Sequence, residues 1–229
     1  YKLKKLSLSD YDSNLSCSLY TGGCNLNCPY CHSRDLVYLK ENMYPIVTEK
    51  INEYLESHRK DLDGIYISGG EPLMHEGVVS FLQYAKTLNY KIKIHTNGMF
   101  YERLKTILAQ KLVDHVSLDI KNAPSAYAKT CGVEDMNLKD IEKSLDLLKQ
   151  SAVPYDICVT LVDELHNQAT IEELGQWIQG VDTVILQPFE DSETTIDHSL
   201  HRPSFEVVLK YKKIFEKYVK HVKIRGDQA

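Results

Sequence analysis

The sequence predicts an α/β fold of about six strand–helix units around a parallel sheet. Two observations predict it. Short β-rich runs alternate with longer segments of helical period along the chain. Polar or glycine-rich tripeptides follow the strand runs, where parallel sheets carry function at the C-terminal ends of their strands. A doubly wound sheet and a partial barrel both satisfy these observations, and in either the tripeptides face one mouth.

The elements follow in order. Leu15–Tyr20 reads as a strand and leads into a cysteine-rich loop; Ile46–Glu56 has apolar residues at helical spacing. Gly64–Ser68 is a short buried strand ending in Gly69-Gly70-Glu71-Pro72, with a helix over Val78–Leu88. Lys91–His95 is a strand ending in Thr96-Asn97-Gly98, followed by a helix over Tyr101–Ala109. Asp114–Ile120 is a strand ending in Asp119-Ile120-Lys121, followed by a helix over Leu138–Lys149. Tyr155–Val162 is a strand and Ile171–Gln179 a helix; Thr183–Gln187 is a strand running into Pro188-Phe189-Glu190. Phe205–Val219 is a long amphipathic helix and His221–Ile224 a last strand.

Composition narrows the class. The chain has 229 residues, 43% hydrophobic and 26% charged, with net charge −5. That balance supports a sizeable core without disulfides and offers no global basic field for nucleic acid. The lysines near both ends (Lys2, Lys4, Lys5; Lys210, Lys212, Lys213) are interleaved with apolar residues and read as solvated faces. No apolar run approaches the roughly 20 residues that span a bilayer, and no hydrophobic signal core opens the sequence. A cytoplasmic protein with reduced cysteines is the expectation. Without a long linker or internal repeat, residues 1–229 are expected to form a single domain, its core spanning about 15–190, with 203–226 packing on it.

The chemistry concentrates in Gly23-Cys24-Asn25-Leu26-Asn27-Cys28-Pro29-Tyr30-Cys31-His32. Iron–sulfur clusters are ordinarily held by four thiolates. A loop supplying only Cys24, Cys28 and Cys31 leaves an iron of a cubane open to react. The competing reading is a zinc site completed by His32, though the adjacency of Cys31 and His32 makes joint tetrahedral ligation awkward. Cys17, Cys131 and Cys158 are isolated and read as small buried side chains. Gly69-Gly70 permits close approach to the backbone at a strand end, where Glu71 can oppose an ammonium group. A plain βα turn with a helix-starting proline is the bland alternative.

Taken together, C-x3-C-x2-C with Tyr30 before the last cysteine, followed by Gly69-Gly70-Glu71-Pro72, resembles the radical S-adenosylmethionine (SAM) superfamily. The layout Thr21-Gly22-Gly23-Cys24, Cys28-Pro29-Tyr30-Cys31-His32, Ile67-Ser68-Gly69-Gly70-Glu71-Pro72, Thr96-Asn97-Gly98, Leu118-Asp119-Ile120-Lys121 and Ile224-Arg225-Gly226 is similar to activating proteins of anaerobic ribonucleoside-triphosphate reductase. It is also close to activators of pyruvate formate-lyase.

The resemblance implies the partial (β/α)6, TIM-like barrel of the radical SAM type. It implies a [4Fe–4S] cluster on Cys24, Cys28 and Cys31, with S-adenosylmethionine chelated by the open iron. Gly69, Gly70 and Glu71 would flank the methionine amine, and Tyr30 and His32 would lie near the adenine. His95, Thr96 and Asn97 would lie near the sulfonium or ribose, with Asp119 and Glu190 at the same mouth. The partners implied are a glycyl-radical enzyme, in the first instance anaerobic ribonucleotide reductase, and a flavodoxin or ferredoxin electron donor. Activation of another glycyl-radical enzyme, or reaction with a small molecule or peptide, is the alternative. This chain has His95 where the pyruvate formate-lyase activators have an acid, Cys158 where many have arginine, and Glu190 where they have histidine.

Overall fold

A computed structural model describes residues 1–41 and 43–226; the end of the expected domain span, 227–229, lies outside them. An edge strand β1 (Lys2–Ser7) precedes β2 (Ser16–Thr21), α1 (Arg34–Tyr38) and α2 (Thr48–Ser57). Then come β3 (Gly64–Gly69), α3 (Val78–Thr87), β4 (Lys91–Thr96), α4 (Tyr101–Ala109) and β5 (His115–Asp119). A short α5 (Tyr127–Thr130) and α6 (Lys139–Gln150) lead to β6 (Tyr155–Leu161), α7 (Gln168–Trp177), β7 (Thr183–Pro188), α8 (Phe205–Phe215) and β8 (His221–Ile224). The edge strand is an element that the sequence pattern does not show: Leu3 and Lys4 pair antiparallel with Leu19 and Ser18, while Lys2, Lys4 and Lys5 stay exposed on a solvated strand face as expected. The last helix is shorter than its apolar period suggests, because the chain turns after Phe215 to feed β8.

The strand order is strictly sequential, β1 to β8, and every pairing from β2 onward is parallel. This order separates the two architectures. A doubly wound sheet reverses direction at a switch point and carries helices on both faces. A sheet that always advances by one neighbour through right-handed crossovers keeps its helices on one face and curls away from them. The result is a partial TIM-like barrel, open between β1 and β8.

The pleat divides each strand between two environments. Ile65 and Ile67, Ile92 and Ile94, Val116 and Leu118, Ile157 and Val159, and Val184 and Leu186 are all 2% exposed or less and join Leu82, Leu104, Leu145 and Leu174 of the helices in one core. The alternate positions are polar and face inward: Ser18 and Tyr20, Tyr66 and Ser68, Lys93 and His95, Ser117 and Asp119, Asp156 and Cys158. Burial of the first set holds the barrel together at roughly 25 cal/mol per Å² of apolar surface. The second set is left to line an interior. No helix among the described residues is long and apolar enough to cross a membrane.

Candidate active site

The loop after β2 carries the cysteines over the mouth of the barrel, and backbone contacts set its path. Gly23 adopts φ +83°. Its carbonyl accepts the Glu71 amide at 2.8 Å, while the Gly70 amide donates to the Thr21 carbonyl at 2.9 Å. A Cβ on Gly70 would overlap the Gly23 carbonyl, and one on Gly69 (φ +128°) would overlap the Thr21 backbone. The glycine pair therefore lets the cysteine loop itself lie on the end of β3, in addition to leaving that strand end bare for a ligand.

From the other side, the segment following β7 clamps the loop. The amides of Ile196 and Asp197 donate to the carbonyls of Cys31 (3.1 Å) and Pro29 (2.9 Å), and Thr194 Oγ1 donates to the His32 carbonyl. Asn27 N–H donates to the Cys131 carbonyl at 3.1 Å, tying the loop to the turn after α5. Within the loop, the Leu26 and Ser33 amides each point at a sulfur, Cys24 Sγ and Cys31 Sγ, at 3.4 Å. Such N–H···S contacts suit thiolates. Burial pushes the Cys24 thiol up to about 11. Cys28 is held down, to about 7, chiefly by the neighbouring Cys131 thiol and against its own burial.

Cys24, Cys28, Cys31, Tyr30 and His32 line one wall of a cavity of about 280 Å³. Gly69, Gly70, Glu71, His95, Thr96, Asn97 and Asp119 line it with them, so all but one of the site residues expected from sequence come together. The exception is Glu190. It is exposed and pairs with Arg202 at 2.7 Å, outside the cavity. After Pro188 the chain leaves the barrel, which carries Glu190 off the mouth; Gln187 and Arg225, joined at 3.0 Å, line the cavity there instead.

Glu71 is tied into the scaffold. It is 1% exposed, and both of its oxygens accept hydrogen bonds: Oε1 from Leu73 N (2.9 Å) and Thr96 Oγ1 (2.7 Å), Oε2 from Asn97 N (2.7 Å). Burial pushes this carboxyl up, and the three donors oppose it. Glu71 is thus a staple between the ends of β3 and β4, and it lines the cavity as well. Asn97 continues the scaffold by donating through Nδ2 to Asn25 Oδ1 of the cysteine loop at 2.8 Å.

The opposite wall is charged and incompletely satisfied. Lys121 Nζ bonds Asp119 Oδ2, and His95 Nε2 stands 3.6 Å from the same oxygen, too far for a hydrogen bond. His95 is oriented through Nδ1 by Tyr66 Oη at 2.9 Å. Burial works against ionisation of Asp119, but Lys121 and then His95 outweigh it and hold the carboxyl below the usual carboxylate range. His95 Nε2, Asp119 Oδ1 and the Tyr30 hydroxyl are buried without a hydrogen-bond partner. Buried polar atoms are rarely left so, and three beside one cavity mark places for a ligand's polar groups. Asp10, Tyr20, Tyr66, Lys121, Cys158, Thr160, Gln187 and Arg225 also line it. Tyr20, Tyr66 and Thr160 were missed from sequence; the signal that finds them is the inward half of the strand alternation.

The pattern of the Radical SAM superfamily matches residues 18–178. The chain belongs to the radical SAM superfamily. It is 30% identical over 226 residues to a Methanocaldococcus jannaschii protein provisionally named a glycyl-radical enzyme activating enzyme, covering 96% of this chain and 92% of that one. It is 27% identical over 213 residues to the pyruvate formate-lyase-activating enzyme of Clostridium pasteurianum, covering 87% of this chain and 88% of that one. Streptococcus suis SuiB bound to S-adenosylmethionine shares the fold at TM-score 0.71 and 14% identity, over 91% of this chain and 50% of that one.

Family membership makes this a radical SAM enzyme whose cofactors are a [4Fe–4S] cluster and S-adenosylmethionine. The residues present fit both groups. Three thiols, two of them with an amide directed at the sulfur, offer ligands for a cluster with one iron left open. The unpartnered atoms of Tyr30, His95 and Asp119 offer the beginnings of a cradle for an adjacent polar ligand.

Proposed function

We propose that this enzyme activates a glycyl-radical enzyme, with anaerobic ribonucleoside-triphosphate reductase as its partner and a flavodoxin or ferredoxin as its electron donor. When bound, the cluster and S-adenosylmethionine supply a 5′-deoxyadenosyl radical, and the activation step is removal of a hydrogen atom from a glycine of the partner. The chain's own residues bind, orient and exclude water. Cys24, Cys28 and Cys31 hold the cluster; Gly69 and Gly70 seat the loop that carries it. Glu71, Thr96 and Asn97 keep the ends of β3 and β4 in register. Tyr66 and Lys121 orient His95 and Asp119 toward the cavity.

The observation that carries this reading is the near end-to-end match to the M. jannaschii relative named for glycyl-radical activation. The architecture is compatible with it. The barrel is open between β1 and β8, and the lining reaches Gln187 and Arg225 at the ends of β7 and β8. The test is electron paramagnetic resonance after anaerobic mixing of the reduced enzyme and S-adenosylmethionine with candidate glycyl-radical enzymes. A doublet on the ribonucleotide reductase supports the reading. A doublet only on another enzyme reassigns the partner, and cleavage stimulated only by a small molecule or free peptide rejects the activase.

A further inference from the structure

Lys121 carries a permanent positive charge into the cavity lined by Cys24, Cys28 and Cys31. The ladder bond from Ile120 N–H to the Cys158 carbonyl (3.0 Å) extends β5 past Asp119, so Asp119 and Lys121, two residues apart, share the inward side of the pleat. The backbone at Lys121 is held from both sides: its N–H donates to Tyr127 Oη at 3.3 Å, and its carbonyl accepts from His166 Nε2 at 3.0 Å. Tyr127 and His166 are themselves buried, and the Lys121 side chain is only 12% exposed. The other permanent cation of the lining, Arg225, is exposed and bonds Gln187.

The ammonium reaches both Asp119 and the cysteine loop. It bonds Asp119 Oδ2, and it lies 6.0 Å from the ring centroid of Tyr30, which stands between Cys28 and Cys31 in the chain. Asp119 and Lys121 thus form a buried dipole with its positive end toward that loop. The thiols respond to it. Burial pushes Cys24 and Cys31 up, and the Cys131 thiol holds Cys28 down; on all three the charge of Lys121 favours ionisation, ahead of any opposing effect of Asp119. A cluster on these three thiolates gains a negative charge when it is reduced. A fixed cation in a low-dielectric wall favours that charge far more than one in water would, and net charge and solvent exposure are among the factors that set iron–sulfur potentials.

We infer that the Lys121–Asp119 pair tunes the cluster electrostatically: its ammonium end, held toward the cysteine loop, raises the reduction potential and eases entry of the electron. The step is the transfer of one electron to the cluster from a protein donor or from dithionite. The donor is oxidised and the cluster reduced; no bond forms or breaks and no proton moves. Lys121 acts through the potential of the cluster and is a positioning residue, not a catalytic one. The inference rests on the assignment of Cys24, Cys28 and Cys31 to the cluster and not on the identity of the partner enzyme.

The test is a redox titration of the reconstituted enzyme without S-adenosylmethionine or partner, followed by electron paramagnetic resonance at about pH 8, above the ordinary histidine value. The double variant Lys121→Gln/Asp119→Asn keeps the shape of the pair but removes both charges, so neither is left buried alone. Its midpoint potential is expected to fall below that of the parent at equal iron per chain. Lys121→Arg, which keeps the cation, is expected to stay near the parent. Equal midpoints in the parent and the double variant overturn the inference. So does a fall in Lys121→Arg as large as in the double variant, which would mark a packing effect. If the double variant fails to load iron, Lys121→Gln alone is titrated and is expected to fall as well. An unchanged midpoint there, or a second failure to load, gives the pair a structural role and overturns the inference. A parent that takes up no cluster overturns the cysteine assignment with it.

Discussion

Gly70 and Gly23 meet backbone to backbone: the space a Cβ on Gly70 would occupy is filled by the Gly23 carbonyl. The end of β3 and the start of the cysteine loop therefore form one packed unit, joined by the Gly23 O···H–N Glu71 bond of 2.8 Å. Gly70→Ala is expected to push the loop off its seat. Overpacking of this kind costs about 1–3 kcal/mol, which chemical denaturation will read. The larger effect is expected on iron and sulfide per chain after anaerobic reconstitution, with far-ultraviolet circular dichroism unchanged. A full iron load in the variant would show that the seat does not matter.

Much of this arrangement was legible in the sequence because it rests on local pattern. The cysteine spacing, the strand-end tripeptides and the alternation of Ile92 and Ile94 with Lys91, Lys93 and His95 are all readable by eye. What was not legible depends on distant backbone. The clamp by Ile196 and Asp197 uses amide groups that any residue supplies. The Lys-rich β1 shows itself as a strand only through the pairing of Leu3 with Leu19, its lysines remaining solvated. The bonds of Glu71 were not legible because a turn in sequence does not reveal that Thr96 and Asn97, at the end of the next strand, donate to its oxygens. Glu190 looked inward because nothing local marks where the chain quits the barrel.

Asp156 links the barrel interior to pH. Burial opposes its ionisation, but His115 and Lys93 outweigh this and hold the carboxyl below the usual carboxylate range. The folded state thus binds this proton less readily than the unfolded chain. The stability it contributes is complete above the unfolded value of about 4 and is lost as pH falls through that value toward the folded one. Asp156→Asn is expected to cost about 2–3 kcal/mol near neutral pH, the range for buried hydrogen bonds to a charged group. The gap between the unfolding midpoints of the two proteins should be constant above about pH 5 and narrow as pH falls from there toward about pH 2. A gap that stays constant with pH would mean that Asp156 is not ionised in the fold.

Glu190 provides the contrasting case. Its pair with Arg202 is exposed on both sides, 74% and 53%. Glu190→Ala is expected to change stability by less than about 1 kcal/mol, as exposed pairs do. Binding of S-adenosylmethionine to the reconstituted enzyme, followed by calorimetric titration, should be the same as in the parent. Weakened binding would return Glu190 to the site.

We propose that Cys24, Cys28 and Cys31 hold a cluster whose open iron takes S-adenosylmethionine. The most direct test is anaerobic reconstitution of the parent and Cys28→Ala with iron and sulfide, followed by reduction in the presence of S-adenosylmethionine. The parent is expected to turn brown and release 5′-deoxyadenosine; Cys28→Ala is expected to retain little iron and release none. A colourless parent that leaves S-adenosylmethionine intact, or a Cys28→Ala protein that cleaves it fully, would contradict the account.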